Sequence, residues 1–190
     1  MKITVLEEAG LVHALRGMAY SYKDRAIDPD EWWETQFPRA LERAPKLARL
    51  GAGHNKFLRQ IMLWVDIEAP RLWWSEFDTY KVGTVAQSES TMHTLAKRPP
   101  TIEDFEDDTP VAAVEAFAGL WPSVKHDVAM LKSVLPEGFL QRRVVTMNYA
   151  VVQAIVEQRL KHRLHHWQAF IQAMRSQLQN PDYIDWETSK

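Results

Sequence analysis

The sequence predicts an α/β protein, and three observations support that class. Residues 2–6 alternate between polar and apolar side chains, which is typical of a strand. Leu11, Leu15 and Met18 follow helical spacing instead. With 46% hydrophobic and 25% charged residues, a chain of 190 residues is able to bury a sizeable core. We therefore expect one domain spanning residues 1–190.

Turn and cap residues delimit the other elements of the first half. Asp28-Pro29 predicts the start of a helix, because aspartate caps a helix and proline suits its first turn. The residue pattern predicts a helix over 11–23, a helix over 31–50 interrupted or kinked at Pro38 and Pro45 and ended by Gly51, a strand over 57–67, and a helix that Pro70 opens and Gly83 ends.

The second half predicts more helix than strand. Thr109-Pro110 is interpreted as an N-cap followed by proline at the first helical position. The predicted elements are a helix from Pro110 to about Leu120, a second helix that Pro122 starts and Val134 ends, a strand over 139–147, and helices over 149–161 and 164–178. Residues 84–98 are ambiguous and fit a loop followed by a helical turn.

Composition excludes several classes of function. The chain has no cysteine, so it has neither disulfides nor thiolate metal sites and cannot use a cysteine nucleophile. A net charge of -2 argues against nonspecific binding to nucleic acid. We expect no membrane association and a cytoplasmic location, since neither a spanning segment nor a signal peptide is evident.

Clusters of cationic side chains leave two interpretations open. His162, His165 and His166 suggest a metal site by spacing, but no carboxylate is well placed, so a basic helix surface is favoured. The cations Arg142, Arg143, Arg159, Lys161 and Arg163 fit either a phosphate site or a solvated face. In each of the pairs Trp32-Trp33 and Trp73-Trp74, we expect one indole ring in the core.

Two distant parts of the chain carry a more specific pattern. Gly53-His54 precedes a predicted strand and then Ala69-Pro70-Arg71. Later in the chain, Leu135-Pro136 precedes Thr146-Met147-Asn148 and Gln158-Arg159. In order and spacing these segments resemble the flavin-dependent thymidylate synthases, and Leu15-Arg16-Gly17-Met18 is similar to an early motif of that family.

The resemblance implies a fold and an activity. The fold is a mainly antiparallel sheet flanked by helices, with active sites between the subunits of a homotetramer. The activity is that of a methyltransferase of dTMP biosynthesis, which converts dUMP to dTMP at carbon 5 with FAD, NADPH and methylenetetrahydrofolate. Such a flavoprotein binds small molecules rather than nucleic acid.

The resemblance also assigns residues to roles. His54 would lie beside the flavin, and Asn148 would approach the flavin or the base. Arg159 would face the pyrimidine, where a cation stabilises developing negative charge. Lys132 stands where the family has an arginine that contacts the nucleotide.

The family's central motif is altered in this chain. Thr79, Ala86 and Thr91 replace its first arginine, its asparagine and its last arginine. Lys81 preserves one charge, Gln87 replaces the glutamate, and a shift of one position aligns Ser88 or Ser90 with the family's serine. From this segment, Lys81, Ser88 and Ser90 are expected to be catalytic and Gln87 to bind the cofactor. The acidic Glu76 and Glu89 are expected to bind the substrate.

The altered motif leaves two alternatives to the synthase. One is an enzyme that modifies another pyrimidine nucleotide, such as dCMP. The other is a catalytically silent homologue that binds a nucleotide or a protein partner.

Overall fold

The computed structural model describes residues 1–22 and 28–187. Lys23, where the first helix was predicted to end, lies outside the described residues. The chain divides into two compact units that alternate along the sequence. Unit 1 comprises Met1–Ile3, Asp66–Lys81 and Ala86–Val144, and unit 2 comprises Thr4–Val65, Val82–Val85 and Val145–Lys190.

Four strands form one antiparallel sheet, which confirms the predicted α/β class. They are β1 (Lys2–Ala9), β2 (Met62–Pro70), β3 (Val85–Ser88) and β4 (Leu140–Asn148), in the order β1-β2-β4-β3. Side chains in β2 alternate strictly, with Leu63, Val65, Ile67 and Ala69 fully buried. The alternation of apolar and acidic residues over Val65-Asp66-Ile67-Glu68 thus corresponds to one buried face of the sheet.

The predicted strand over 57–67 is wrong in its first part. Lys56–Gln60 form a 3-10 turn, and β2 begins only at Met62. Phe57 and Leu58 are adjacent and both buried. In a strand with one buried face, these neighbouring side chains would point to opposite faces, and only one of them would be buried there.

The helices follow the predicted order, although several of their bounds differ from the prediction. They are α1 (Leu11–Ala19), α2 (Pro29–Glu31), α3 (Phe37–Leu50), α4 (Arg71–Phe77), α5 (Thr91–Thr94), α6 (Val111–Val124), α7 (Val128–Ser133), α8 (Tyr149–Arg159) and α9 (His166–Gln177). The segment Tyr20–Tyr22 continues α1 as a 3-10 turn, and Trp32–Gln36 joins α2 to α3 as a wide helical turn. No helix in the described ranges has the length and apolar character needed to cross a membrane.

In unit 2, α3 packs against α1 through small residues. Ala40, Ala44 and Ala48 recur every fourth position and are all buried, forming one stripe along the helix. Asp28 caps the preceding α2 as predicted, since its Oδ1 accepts a hydrogen bond from the backbone N–H of Asp30 at 2.9 Å. Helix α3 continues through Pro45, so the helix is not interrupted at that residue.

In unit 1, α6 and α7 pack over a separate apolar cluster. It contains Leu95, Phe105, Val114, Phe117, Val124, Leu131, Leu135 and Phe139. Pro110, not Thr109, occupies the N-cap of α6, and the buried Thr109 hydroxyl has no hydrogen-bond partner among the described residues. The helix also continues through Pro122 instead of restarting there. The helix after Pro70 ends at Phe77, before the predicted end at Gly83.

Candidate functional site

A left-handed loop at the end of α3 presents His54. Gly51, Ala52 and Gly53 all have positive φ angles, of 64°, 44° and 94°. Glycine adopts such angles freely, whereas Ala52 is the one described non-glycine residue that does so. The backbone N–H of His54 donates to the carbonyl of Gly51 at 2.9 Å and closes the loop. The loop therefore has a defined shape with the exposed His54 at its end.

His54 lines a cavity of about 340 Å³ in unit 2, called here the His54 cavity. Its walls include Met18, Tyr22, Leu47, His54, Phe57 and Gln60. The Phe57 ring is held in place by an edge-on contact with Tyr183, at 5.7 Å between centroids. The cavity thus combines aromatic surface, an amide and an imidazole. Among the described residues that line it there is no aspartate or glutamate.

A second, shallow recess of about 10 Å³ adjoins this cavity and is called the Arg39 recess. It shares Met18 and Tyr22 with the His54 cavity and adds Arg39 and Arg43 from α3. The guanidinium carbon of Arg43 lies 5.0 Å from the centroid of the Tyr22 ring. Neither arginine forms an ion pair within the described ranges, so their charge is available to a ligand.

Asn148 and Arg159, the other predicted site residues of unit 2, bracket α8. The Asn148 side chain caps the helix by accepting from the backbone N–H of Val151 at 3.0 Å. Arg159 lies in the last turn, with its guanidinium carbon 4.7 Å from the centroid of the Trp167 ring. Neither residue lines the His54 cavity as far as the chain is described.

Three predicted residues of unit 1 lie together at a shallow groove. Gln87, Ser88 and Glu89 line it with Asp66, Arg142 and Arg143, around about 240 Å³; we call it the Ser88 groove. The backbone N–H of Glu89 donates to the Arg142 carbonyl at 3.0 Å. In return, the backbone N–H of Arg142 donates to the Glu89 carboxylate at 3.2 Å. Ser90 follows at the N-cap of α5, where its carbonyl accepts from Thr94 at 3.2 Å.

Both arginines of the Ser88 groove are held in ion pairs. Arg142 donates two hydrogen bonds to Asp66, at 2.8 Å and 2.6 Å. These hydrogen bonds hold the pKa of the Asp66 carboxyl below its usual value. Arg143 donates to Asp78 at 2.7 Å and stacks over Trp74 at 4.1 Å. An incoming phosphate would have to compete with these carboxylates.

A cavity of about 530 Å³ in unit 1 is also charge-compensated. Arg98, which gives the Arg98 cavity its name here, pairs with Asp104 through two 2.6 Å hydrogen bonds. This guanidinium lowers the pKa of the Asp104 carboxyl. Lys2 pairs with Glu68 at 3.1 Å in the same wall. Acidic and basic side chains thus line the Arg98 cavity together and largely cancel.

The remaining predicted residues of unit 1 do not line the Ser88 groove. Lys81 and Lys132 are exposed, and Lys132 lies in the last turn of α7. Glu76 is half-buried on α4. Its carbonyl accepts a hydrogen bond from the Thr79 hydroxyl at 2.7 Å, so Thr79, predicted to stand where the resembled family has an arginine, binds a carbonyl at the end of α4. Thr91, the other replacement, is buried at the start of α5.

The histidine cluster does not form a metal site. Within the described ranges, no group of three histidine, cysteine, aspartate or glutamate side chains is arranged to hold a metal ion. The His165 and His166 rings stack at 4.1 Å. His166 is buried, which corrects the expectation that all three histidines lie on a basic surface.

Comparison with solved structures identifies the fold. The flavin-dependent thymidylate synthase ThyX of Helicobacter pylori, complexed with FAD and dUMP, matches with a TM-score of 0.78 at 14% identity, over 97% of this chain and 98% of that one. The UMP/dUMP methylase PolB of Streptomyces cacaoi, bound with 5-Br dUMP, matches with a TM-score of 0.62 at 11% identity, over 95% and 92%. No protein-family model and no curated protein matches the chain. The chain therefore has the flavin-dependent thymidylate synthase fold, as its motifs predicted.

Several residues around the His54 cavity escaped the sequence analysis. Tyr22, Phe57 and Gln60 come from separate segments with no motif in common, so only the fold brings them together. Arg39 and Arg43 did carry a signal. Two arginines four residues apart lie on one face of a helix, here beside the alanine stripe.

Proposed function

We propose that the chain is an FAD-dependent methyltransferase that acts on carbon 5 of a pyrimidine deoxynucleotide, with dUMP as substrate and dTMP as product. The observation that carries this proposal is the position of His54. In a chain with the thymidylate synthase fold, the one histidine that the motifs assign to the flavin lines a cavity with aromatic and amide walls. Methylenetetrahydrofolate would supply the carbon and NADPH the electrons.

The His54 cavity suits a flavin ring by its chemistry. Tyr22 and Phe57 offer aromatic surface, and the Gln60 amide is able both to donate to and to accept from the polar edge of the ring. No described carboxylate lines the cavity to oppose an anionic cofactor. When bound, a reduced flavin supplies the hydride that converts a transferred methylene group to methyl.

The roles of the other residues are assigned by resemblance. Arg159 would stabilise negative charge that develops on the pyrimidine carbonyl, and Asn148 would hydrogen-bond the cofactor or the base. Gln87 would contact the cofactor. Lys132, Glu76 and Glu89 would position the nucleotide, and Lys81, Ser88 and Ser90 would act near the reacting carbon.

The overall reaction would balance as follows. The methylene carbon of methylenetetrahydrofolate forms a bond to carbon 5 of the base, and its bonds to the folate nitrogens break. The hydrogen on carbon 5 leaves as a proton. Two electrons from NADPH reduce the methylene to methyl, so that dTMP, tetrahydrofolate and NADP⁺ are formed with net uptake of one proton.

A second candidate is a silent homologue that binds a nucleotide or a protein partner. It is favoured by the loss of the family arginines at Thr79 and Thr91 and by the ion pairs that occupy Arg142 and Arg143. An enzyme acting on dCMP is a third possibility within the same altered segment. Assembly as a homotetramer, a single functional domain and a cytoplasmic location belong to the proposal as well.

Titration with FAD, followed by dUMP and dCMP, tests the proposal. A visible flavin spectrum that is retained after gel filtration and changes on addition of dUMP would support the synthase. A change of the flavin spectrum with dCMP but not with dUMP would indicate that the substrate is dCMP. Absence of flavin binding at high FAD concentration would overturn the proposal in favour of the silent homologue.

Substitutions test the two principal assignments. His54→Ala is expected to weaken FAD retention, and an unchanged FAD dissociation constant would remove His54 from the cofactor site. Arg159→Ala is expected to abolish dUMP binding while the thermal unfolding midpoint shows that the fold is retained. Arg163→Ala, an exposed arginine beyond the end of α8, is the matched control.

A further inference from the structure

Helix α3 presents two cations at the edge of the surface that packs on α1. Arg39 and Arg43 each precede an alanine of the buried stripe, Ala40 and Ala44. Their side chains therefore leave the helix beside the packed face and reach the rim of the Arg39 recess. Tyr22, under the Arg43 guanidinium, is a wall of both the recess and the His54 cavity.

The charge of this pair has no counterpart in the described structure. Neither Arg39 nor Arg43 is ion-paired within residues 1–22 and 28–187, and no described carboxylate lines the recess. Two like charges four residues apart on a helix slightly oppose its formation. A bound anion would remove this repulsion, and two guanidinium forks suit the oxygens of a diphosphate.

We propose that Arg39 and Arg43 bind the diphosphate of FAD, with the flavin ring in the adjoining His54 cavity; this assignment rests on the proposed function. The ribityl chain that links ring to diphosphate in FAD would cross the shared wall at Met18 and Tyr22. Because the recess holds only about 10 Å³, the diphosphate would be held at its mouth, by Arg39 and Arg43 in its lining. These two arginines would supply charge that the central segment lost at Thr79 and Thr91.

The test compares ligands that differ in the diphosphate. FAD and riboflavin are titrated by fluorescence and ADP by calorimetry, against the wild type and the double variant R39Q/R43Q. Each charged hydrogen bond lost is expected to weaken binding about tenfold, so FAD and ADP should bind roughly a hundredfold more weakly to the double variant. Riboflavin lacks phosphate, and its affinity should not change.

Arg49→Gln is the matched control. It removes an arginine from the same helix, but Arg49 lines neither the recess nor the His54 cavity. The affinity of the Arg49→Gln variant for FAD should equal that of the wild type. Higher salt should weaken FAD binding to the wild type more than to R39Q/R43Q, because screening acts on the charges that the variant lacks.

The outcomes separate this proposal from the proposed function. FAD affinity of the double variant within about threefold of the wild type would overturn the diphosphate site and leave flavin dependence intact. ADP binding that is lost in the variant, with no FAD binding at all, would show that the two arginines bind a diphosphate other than FAD, and would overturn both the FAD assignment and the flavin-dependent function. A wild type that binds neither FAD nor ADP would overturn both.

Discussion

The arginines of unit 1 and those of α3 in unit 2 are in opposite electrostatic situations. All four arginines of unit 1, namely Arg71, Arg98, Arg142 and Arg143, are ion-paired to carboxylates. Arg39, Arg43 and Arg49 on α3 form no ion pair within the described ranges. An arginine that already donates to a carboxylate stabilises structure, and an arginine without one is available to a ligand. The number of cations near a cavity is therefore a poor guide to whether it binds an anion.

The largest expected effect concerns stability. Arg143 is only 13% exposed, donates to Asp78 and Gln141, and covers the Trp74 ring. Arg143→Ala should lower the free energy of unfolding by about 2 kcal/mol, because it removes charged hydrogen bonds and packing together. Arg39→Ala should change it by less than about 0.5 kcal/mol. Urea unfolding measures both, and equal losses would contradict the distinction between structural and available arginines.

A smaller effect, on the affinity for dUMP, is expected when the ion pair of an arginine of unit 1 is broken by removing its carboxylate partner. Asp66→Asn removes the carboxylate that binds Arg142, so the guanidinium at the Ser88 groove becomes available to a phosphate. The affinity for dUMP should then rise by about fivefold, the equivalent of one exposed ion pair. Asp107→Asn changes the net charge equally without releasing an arginine and should leave the affinity unaltered. An unchanged affinity in Asp66→Asn would exclude Arg142 from the phosphate site.

The smallest effect is the pH dependence of the ion pair itself. Arg142 lowers the pKa of Asp66 in the folded protein. The unfolded chain therefore binds more protons between that lowered pKa and the ordinary value of about 3.9. The stabilisation by the Asp66–Arg142 pair is complete above the ordinary pKa of aspartate. It is lost as the pH falls through the lowered pKa that Asp66 has in the folded protein. Asp66→Asn, which cannot titrate, should lose less stability than the wild type between pH 5 and 3, roughly the range in which aspartate titrates. Equal losses in the free energy of urea unfolding for the wild type and for Asp66→Asn over this pH range would contradict the pairing of Asp66 with Arg142.

Local signals predicted the parts of the fold that depend on local physics. The Asp28 cap, the glycine at the end of α3 and the alternation in β2 were all readable, because each arises from neighbouring residues. The turn at Phe57 and Leu58 was not, since burial of both side chains depends on distant partners. The expectation of one buried indole per pair was right for Trp32-Trp33 and wrong for Trp73-Trp74. In the second pair, Arg143 covers Trp74, and the Gln141 carbonyl accepts its N–H.

The candidate site was predictable only in part, for the same reason. The motif around Gly53-His54 predicted a histidine beside the flavin, and that role stays a prediction; the structure places His54 on a closed loop at a cavity. The pairing of Arg142 with Asp66 joins residues 76 positions apart, which no local pattern indicates. The sequence therefore left Arg142 and Arg143 open as either phosphate ligands or part of a solvated face, whereas the structure shows both in ion pairs and leaves the α3 arginines unpaired within the described ranges.

NMR spectroscopy of the arginine side chains tests the central claim most directly. Nε–Hε resonances of ¹⁵N-labelled protein, assigned by single arginine-to-lysine substitutions, are recorded at mildly acidic pH before and after addition of FAD. We predict that the resonances of Arg39 and Arg43 shift while those of Arg142 and Arg143 remain in place. Shifts confined to Arg142 and Arg143 would contradict the account and place the diphosphate on unit 1.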